Sequence, residues 1–325
     1  MCSSSLGSEL NLPDNVRRLI NESCSKNTWN QYKNVIYRFN SFCIEISGEK
    51  NTLLKNILMY LTHLFEKNVS YSAINLARSA FSTCMDKIDG FDIGVHPLVT
   101  RLLKGVYKQR PPTPKYTCTW DANKVLNTIS NFGPNSSLDL KILTLKLVGL
   151  LSLTTGQRVQ TLQAIQVNNI NFGSTTQIKI TKHLKTSCFH REQPVLYIPR
   201  YVNEPNLCVV SCLEAYLLRT LSFRKHEQLI LSILAPHKPV SSQSISRWLC
   251  QLLEKSGIDV DKFKSHSYRH SSVSKAYKEG ASIDSVYKAA HWTSGSKVFA
   301  KFYNRPIVND NLVFADSVVR SYISK

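Results

Sequence analysis

The sequence has no apolar run of transmembrane length, and its opening Met1-Cys2-Ser3-Ser4-Ser5 lacks the apolar segment of a secretory signal. The chain therefore reads as an intracellular protein with no membrane partner. Acidic residues are scarce: 22 Asp and Glu stand against 41 Lys and Arg, a formal net charge of +19. An excess of that size calls for an anionic partner, and nucleic acid is the commonest. Regular cysteine spacing is also missing. The nine cysteines are odd in number and scattered from Cys2 to Cys250, which excludes a disulfide framework and points to reduced thiols. Cys208 and Cys212 are four apart, yet no second Cys/His pair at zinc-finger spacing follows, and they read as buried apolar cysteines. Nor is there an Asp/Glu cluster of the kind that holds magnesium, so no metal or other cofactor is expected.

What the chain does have is helical periodicity, and 325 residues suffice for two domains. Residues 1–24 show no sustained period and read as a loose lead-in. From Asn27-Thr28, the residues Trp29, Tyr32, Ile36, Phe39 and Cys43 form one stripe of a helix ending near Gly48. A second helix is expected from Thr52 to about Lys67. A third starts at Ser70 or Ser72 and is broken by Asp89-Gly90, and a fourth has Pro97 at its first position. Residues 25–107 thus make a helical bundle with an exposed basic set. Lys33, Arg38 and Lys104, with Lys108 and Arg110 beyond them, are the candidate DNA contacts, although any one such cation is ordinarily just solvated and only the excess argues for DNA. The stretch Lys108 to Lys115 combines three prolines with three cations, and 108–117 reads as a semi-rigid linker.

In the second domain, 118–305, Ser137-Leu138-Asp139 opens a helix through Leu151 whose Leu, Ile and Val content marks it as central and buried. It runs into Thr154-Thr155-Gly156-Gln157-Arg158, where the glycine allows a sharp change of direction. Asn169–Phe172, Gln177–Thr181 and Pro194–Ile198 are expected as three short strands. The tip between the last two carries Lys182 and Lys185, ordinarily solvated edge lysines but also able to reach into a groove. After further helices come Ser265-His266-Ser267-Tyr268-Arg269-His270, starting a helix to about Glu279, then a helix Ser282–Ala290, a turn at His291-Trp292, and a short helical segment Ser296–Asn304 carrying Tyr303. The fold class is therefore mainly α with a small antiparallel sheet, α+β.

His266 and Arg269 share one helix face. If Arg158 converges on them, two guanidinium forks match the non-bridging oxygens of a phosphate and stabilise the charge that builds up on a five-coordinate phosphorus, as a metal does elsewhere. A tyrosine hydroxyl ionises only near pH 10 unaided. His266 can take its proton, a lysine at Lys185 can protonate the leaving oxygen, and Trp292 can supply packing and an indole donor.

The order Arg in Thr-Gly-x-Arg, hairpin Lys, His-x-x-Arg, Trp or His, then Tyr resembles the tyrosine recombinase, or phage integrase, family. Leu184-Lys185-Thr186, Leu196-Tyr197-Ile198-Pro199, the Trp248 helix and Trp292…Phe299…Phe302-Tyr303 are similar to recombinases of eukaryotic mobile elements of the Crypton and DIRS-like groups. The resemblance implies a helical core-binding domain and a catalytic domain that clamp double-stranded DNA. Four protomers would act on two duplexes. Tyr303 would form a 3′-phosphotyrosine without metal or ATP, Arg158 and Arg269 would hold the phosphate, Lys185 would be the general acid, and His266 and Trp292 would complete the site. It leaves His291 as the alternative to Trp292 and Lys182 as the alternative to Lys185, or a DNA contact. A tail helix in 306–325 could dock into a neighbouring protomer, and the nucleus would be the place of action. Two departures stand out: Thr161 sits where the family often has an acidic residue, and Trp292 and Tyr303 are eleven apart, a long step. A catalytically silent DNA-binding derivative and a type IB topoisomerase are the rival readings.

Overall fold

A computed structural model of the protein describes residues 13–46, 51–113, 116–185, 187 and 192–292. The chain divides into two compact units, Met1–Pro114 and Lys115–Lys325. The expected short helix with Tyr303 and the tail 306–325 lie outside the described residues.

Among the described residues unit 1 contains five α-helices: α1 (Asp14–Asn21), α2 (Lys26–Glu45), α3 (Leu53–Glu66), α4 (Tyr71–Cys84) and α5 (Pro97–Gln109). Side-chain caps start the middle three. Ser25, Thr52 and Ser70 each accept the backbone N–H three residues on, which satisfies one of the donors a helix start leaves unpaired. Pro97 occupies the first turn of α5, where its missing N–H costs nothing. The core is aromatic: the rings of Phe39 and Phe81 lie 4.8 Å apart and those of Phe39 and Tyr60 5.4 Å apart, both edge-on, ringed by Ile57, Leu61, Ile74, Val99 and Leu103. Helix α1 corrects the expectation of a loose lead-in. It buries none of its residues, and Val16, Leu19 and Ile20 stay exposed, so a pattern tuned to core-facing stripes passes over it.

Unit 2 is built around α7 (Leu140–Thr155), which follows α6 (Ala122–Ser130). Helix α7 starts at Asp139, whose carboxylate accepts the Ile142 N–H at 2.7 Å, and nearly all its side chains are buried. It packs against α9 (Val209–Thr220), α10 (Ser242–Lys255) and α11 (Ser267–Lys278). The approach to α10 is close: a Cβ at Gly149 would collide with Leu252 Cδ2, so only glycine fits without repacking. Between α7 and α9 come the short α8 (Val159–Gln163) and the strands β1 (Ile170–Asn171), β2 (Thr175–Lys179) and β3 (Val195–Pro199), an antiparallel sheet in the order β1-β2-β3. Strand β2 starts two residues before its expected place because Thr175 pairs with Pro199 and Thr176 with Ile198. A last helix, α12 (Ile283–Ala289), packs on α11. Cys208 and Cys212 are both buried, and the Cys208 sulfur caps α9 by accepting from Ser211 N–H.

Candidate active site

The end of α7 creates the first part of the site. Gly156 takes the left-handed conformation, φ 57°, and ends the helix, so the chain turns at once into Gln157 and Arg158. Arg158 is the half-buried, extended residue that begins α8. A Cβ at Gly156 would press on Ser272 Oγ at 3.2 Å, which shows how closely α11 backs this turn.

Arg269, on the buried face of α11 and only 3% exposed, binds the parts together. One terminal nitrogen donates to Gly156 O at 2.7 Å and the other to Ala290 O at 2.6 Å. Its guanidinium carbon lies 4.6 Å from the ring centre of Trp292, a cation over an aromatic face. One side chain thus ties the segment before Arg158 to the segment before His291-Trp292, on the helix that carries His266. Charged donors on carbonyls are worth more than neutral ones, and burial strengthens them. Gln157 adds a parallel tie: buried itself, it donates its amide N–H to Ala289 O at 2.6 Å. It escaped notice in the sequence, where its one signal is a polar residue placed between Gly156 and Arg158. Thr161, where an acid was missed, is buried in α8. The segment's polar anchoring comes instead through Gln157 and Arg269.

His266 is exposed at the start of α11, three residues before Arg269. His291 and Trp292 divide their tasks. His291 takes the left-handed conformation, φ 50°, beyond the end of α12; its N–H donates to Lys288 O at 3.1 Å and that of Trp292 to Tyr287 O at 2.9 Å. This pair closes the helix end in the manner usually given to glycine. The ring over Arg269 is that of Trp292. A cleft of about 730 Å³ runs alongside, lined by Thr154 and Thr155 of α7, Tyr197 of β3, and Lys288, His291 and Trp292 at the end of α12. Tyr287, a rival nucleophile in the sequence, is buried on α12, and Tyr277 lies partly exposed on α11.

Lys182 and Lys185 are exposed on the connection from β2 to β3, with Leu184 buried between them. Neither forms a hydrogen bond or ion pair with Arg158, His266 or Arg269 among the described residues. Tyr303 lies outside those residues. In unit 1, Lys33 and Arg38 are exposed on α2, and Lys104 and Lys108 on α5. Arg110, also expected as a DNA contact, is bonded within its own unit. Its guanidinium donates to Val69 O at 3.0 Å, Phe65 O at 2.9 Å and Asn68 Oδ1 at 3.1 Å, and lies 4.3 Å from the centre of the Phe65 ring. This half-buried fork clasps the end of α3 and the turn beyond it, which a count of cations does not reveal.

Solved structures share this fold. A lambda integrase (75–356) dimer bound to a COC′ core site is 18% identical, with a TM-score of 0.53, covering 86% of this chain and 92% of that one. The XerH site-specific recombinase in a post-cleavage complex with palindromic difH is 13% identical, with a TM-score of 0.61, covering 90% and 79%. The Tn1549 transposon integrase (aa 82–397) with circular intermediate DNA is 13% identical, with a TM-score of 0.56, covering 86% and 90%. No curated protein sequence matches significantly. The phage integrase family matches residues 121–308, which include every element gathered around Arg269. The chain belongs to that family, the tyrosine recombinases.

Proposed function

We propose that the protein is a site-specific DNA recombinase or integrase that cuts and rejoins double-stranded DNA through a covalent bond to Tyr303. The observation that carries the reading is the convergence on Arg269: its two bonds to Gly156 O and Ala290 O bring the Arg158 turn, the His266 helix and Trp292 to one place. Such an arrangement suits a phosphate in the act of gaining a fifth oxygen, because fixed guanidinium donors need no reorganisation as charge develops.

In this reading Arg158 and Arg269 hold the scissile phosphate, and His266 receives the phenolic proton as the Tyr303 oxygen attacks phosphorus. The bond from phosphorus to the 5′ oxygen breaks, its electron pair stays on that oxygen, and Lys185 protonates it. A 3′-phosphotyrosine and a 5′-hydroxyl result. The new ester conserves the energy of the old one, so attack by another 5′-hydroxyl rejoins strands without ATP, and the arginines take the part of a metal. Lys182 stands in if Lys185 proves dispensable. The +19 charge supports DNA as the partner, and recombination between two duplexes calls for four protomers. The motif likeness supports an element of the Crypton or DIRS-like kind acting in the nucleus, with residues 306–325 contributing to assembly.

The test is a duplex selected for binding from a random library and nicked near the cleavage point, so that the cut strand diffuses away. The wild type accumulates a covalent adduct on denaturing gels, and Tyr303→Phe accumulates none. An adduct persisting in Tyr303→Phe removes that nucleophile. Tight binding without any adduct in the wild type leaves a silent DNA-binding derivative, and relaxation of supercoils by a monomer leaves a topoisomerase.

A further inference from the structure

The segment that opens unit 2 is bonded to the helix that carries His266 and Arg269. Trp120, 3% exposed, donates its indole N–H to Ser267 Oγ at 2.8 Å, and Ser267, fully buried, donates its own hydroxyl to Lys264 O at 2.7 Å. One turn on, Ser271 Oγ donates to Trp120 O at 2.8 Å. The Tyr268 ring stands edge-on to the indole with centroids 5.0 Å apart. Tyr116 joins the same turn, its hydroxyl accepting the Lys264 N–H at 3.4 Å and its ring lying 5.1 Å from that of His270. On the opposite flank the hydroxyls of Ser265 and Ser246 meet at 2.6 Å, which ties the turn to α10. Between the two anchored serines stands the exposed His266.

We propose that Trp120 is a positioning residue for His266: by holding Ser267 it fixes the backbone from which the imidazole reaches the proton of the attacking hydroxyl. The proposal rests on the role given to His266 above. The reach of any side chain starts from its backbone, so a clamp on the next residue limits where the His266 ring can go. A core-filling role alone would be met by any large apolar side chain. A buried indole N–H must find a partner, and the partner here is the neighbour of His266. Ser267 completes the link because its one hydroxyl both accepts from Trp120 and donates to the turn.

Trp120→Phe keeps a ring in the core and deletes the donor. Tyr268→Phe is the matched control, removing a buried bond from the same helix, that of the Tyr268 hydroxyl to Leu249 O at 3.0 Å. With the nicked duplex saturating, Trp120→Phe slows adduct formation about tenfold while the Kd for DNA stays within about twofold. Tyr268→Phe, at a similar loss of Tm, leaves the rate within about twofold. Ser267→Ala slows the reaction as Trp120→Phe does, and the double variant is no slower than either single one. Equal slowing by Trp120→Phe and Tyr268→Phe, or additive effects in the double variant, overturns the proposal. If the wild type forms no adduct, it is the reading of the reaction that fails, and the positioning is then judged without DNA. The His266 imidazole resonances shift in Trp120→Phe and not in Tyr268→Phe if the proposal holds, and an unmoved His266 signal in Trp120→Phe overturns it.

Discussion

In unit 1 most side-chain hydrogen bonds act close to home. Ser25 closes the first turn of α2, Thr52 that of α3 and Ser70 that of α4, each three residues from its partner. Arg110 differs, reaching back across more than forty positions to the end of α3 and the turn beyond it. Unit 2 joins distant segments as a matter of course: Arg269 to Gly156, Gln157 to Ala289, Trp120 to Ser267 and Ser271 to Trp120, all over one hundred positions apart. The burial of polar side chains follows the same division. Among the described residues His96 alone is buried and polar in unit 1, whereas unit 2 buries Gln157, Ser265, Ser267, Arg269 and Ser271 around a single turn of α11. A cap within one turn holds only its own helix start, and the outward cations of unit 1 lie on helices fixed by their shared core. A site meant to place a reacting phosphorus needs its donors fixed to fractions of an ångström, which buried polar bonds between remote segments provide.

The contrast can be broken by substitution. The largest effect is expected at Arg269. Arg269→Lys loses the planar fork that spans Gly156 and Ala290, so the rate of adduct formation should fall by about 10²–10³ and stability by about 2 kcal/mol, read by single-turnover cleavage and urea unfolding. If cleavage were unchanged, the convergence would be architecture only. Arg110→Ala comes next. It removes the same kind of clasp from unit 1 and should cost about 1–2 kcal/mol of stability while leaving cleavage of bound DNA at the wild-type rate. A slowed reaction in that variant would dissolve the distinction between the two regions. The smallest effect belongs to Lys104, exposed on α5. Lys104→Ala should leave Tm unaltered and lower the slope of log affinity against log salt by about one. An unchanged slope would take Lys104 off the DNA, and a lowered slope in Arg110→Ala would show that Arg110 contacts it as well.

Much of the fold could be read in the residues, for reasons that differ from element to element. Helix α7 was legible because its high Leu, Ile and Val content marks a core, and α3 to α5 because Thr52, Ser70 and Pro97 mark helix starts by local chemistry. The ends of β2 were not, since they depend on which residues of β3 lie opposite. Helix α1 buries nothing, and its one apolar face, Val16, Leu19 and Ile20, is too short to make a sustained period. The turn at Gly156 and the nearness of His266 to Arg269 are matters of a few residues and could be inferred. That Arg269 reaches Ala290, that Gln157 reaches Ala289, and that Trp292 rather than His291 carries the ring over the guanidinium are facts of tertiary packing with no short-range trace. The bonds of Arg110 are hidden for the same reason, because two of its partners are backbone carbonyls, and every residue has one.

The Arg110 clasp also bears on how the protein can be rebuilt. Its described bonds run back to Phe65, Asn68 and Val69, so the last helix of unit 1 is latched to its own unit before the chain reaches Pro111. A splice placed within 111–115 would cut none of the hydrogen bonds described for either unit, and it would leave Tyr116 and Trp120 with α11. Exchange of the segment ending at Arg110 for that of a relative is therefore a graft that leaves the described bonds of both units whole.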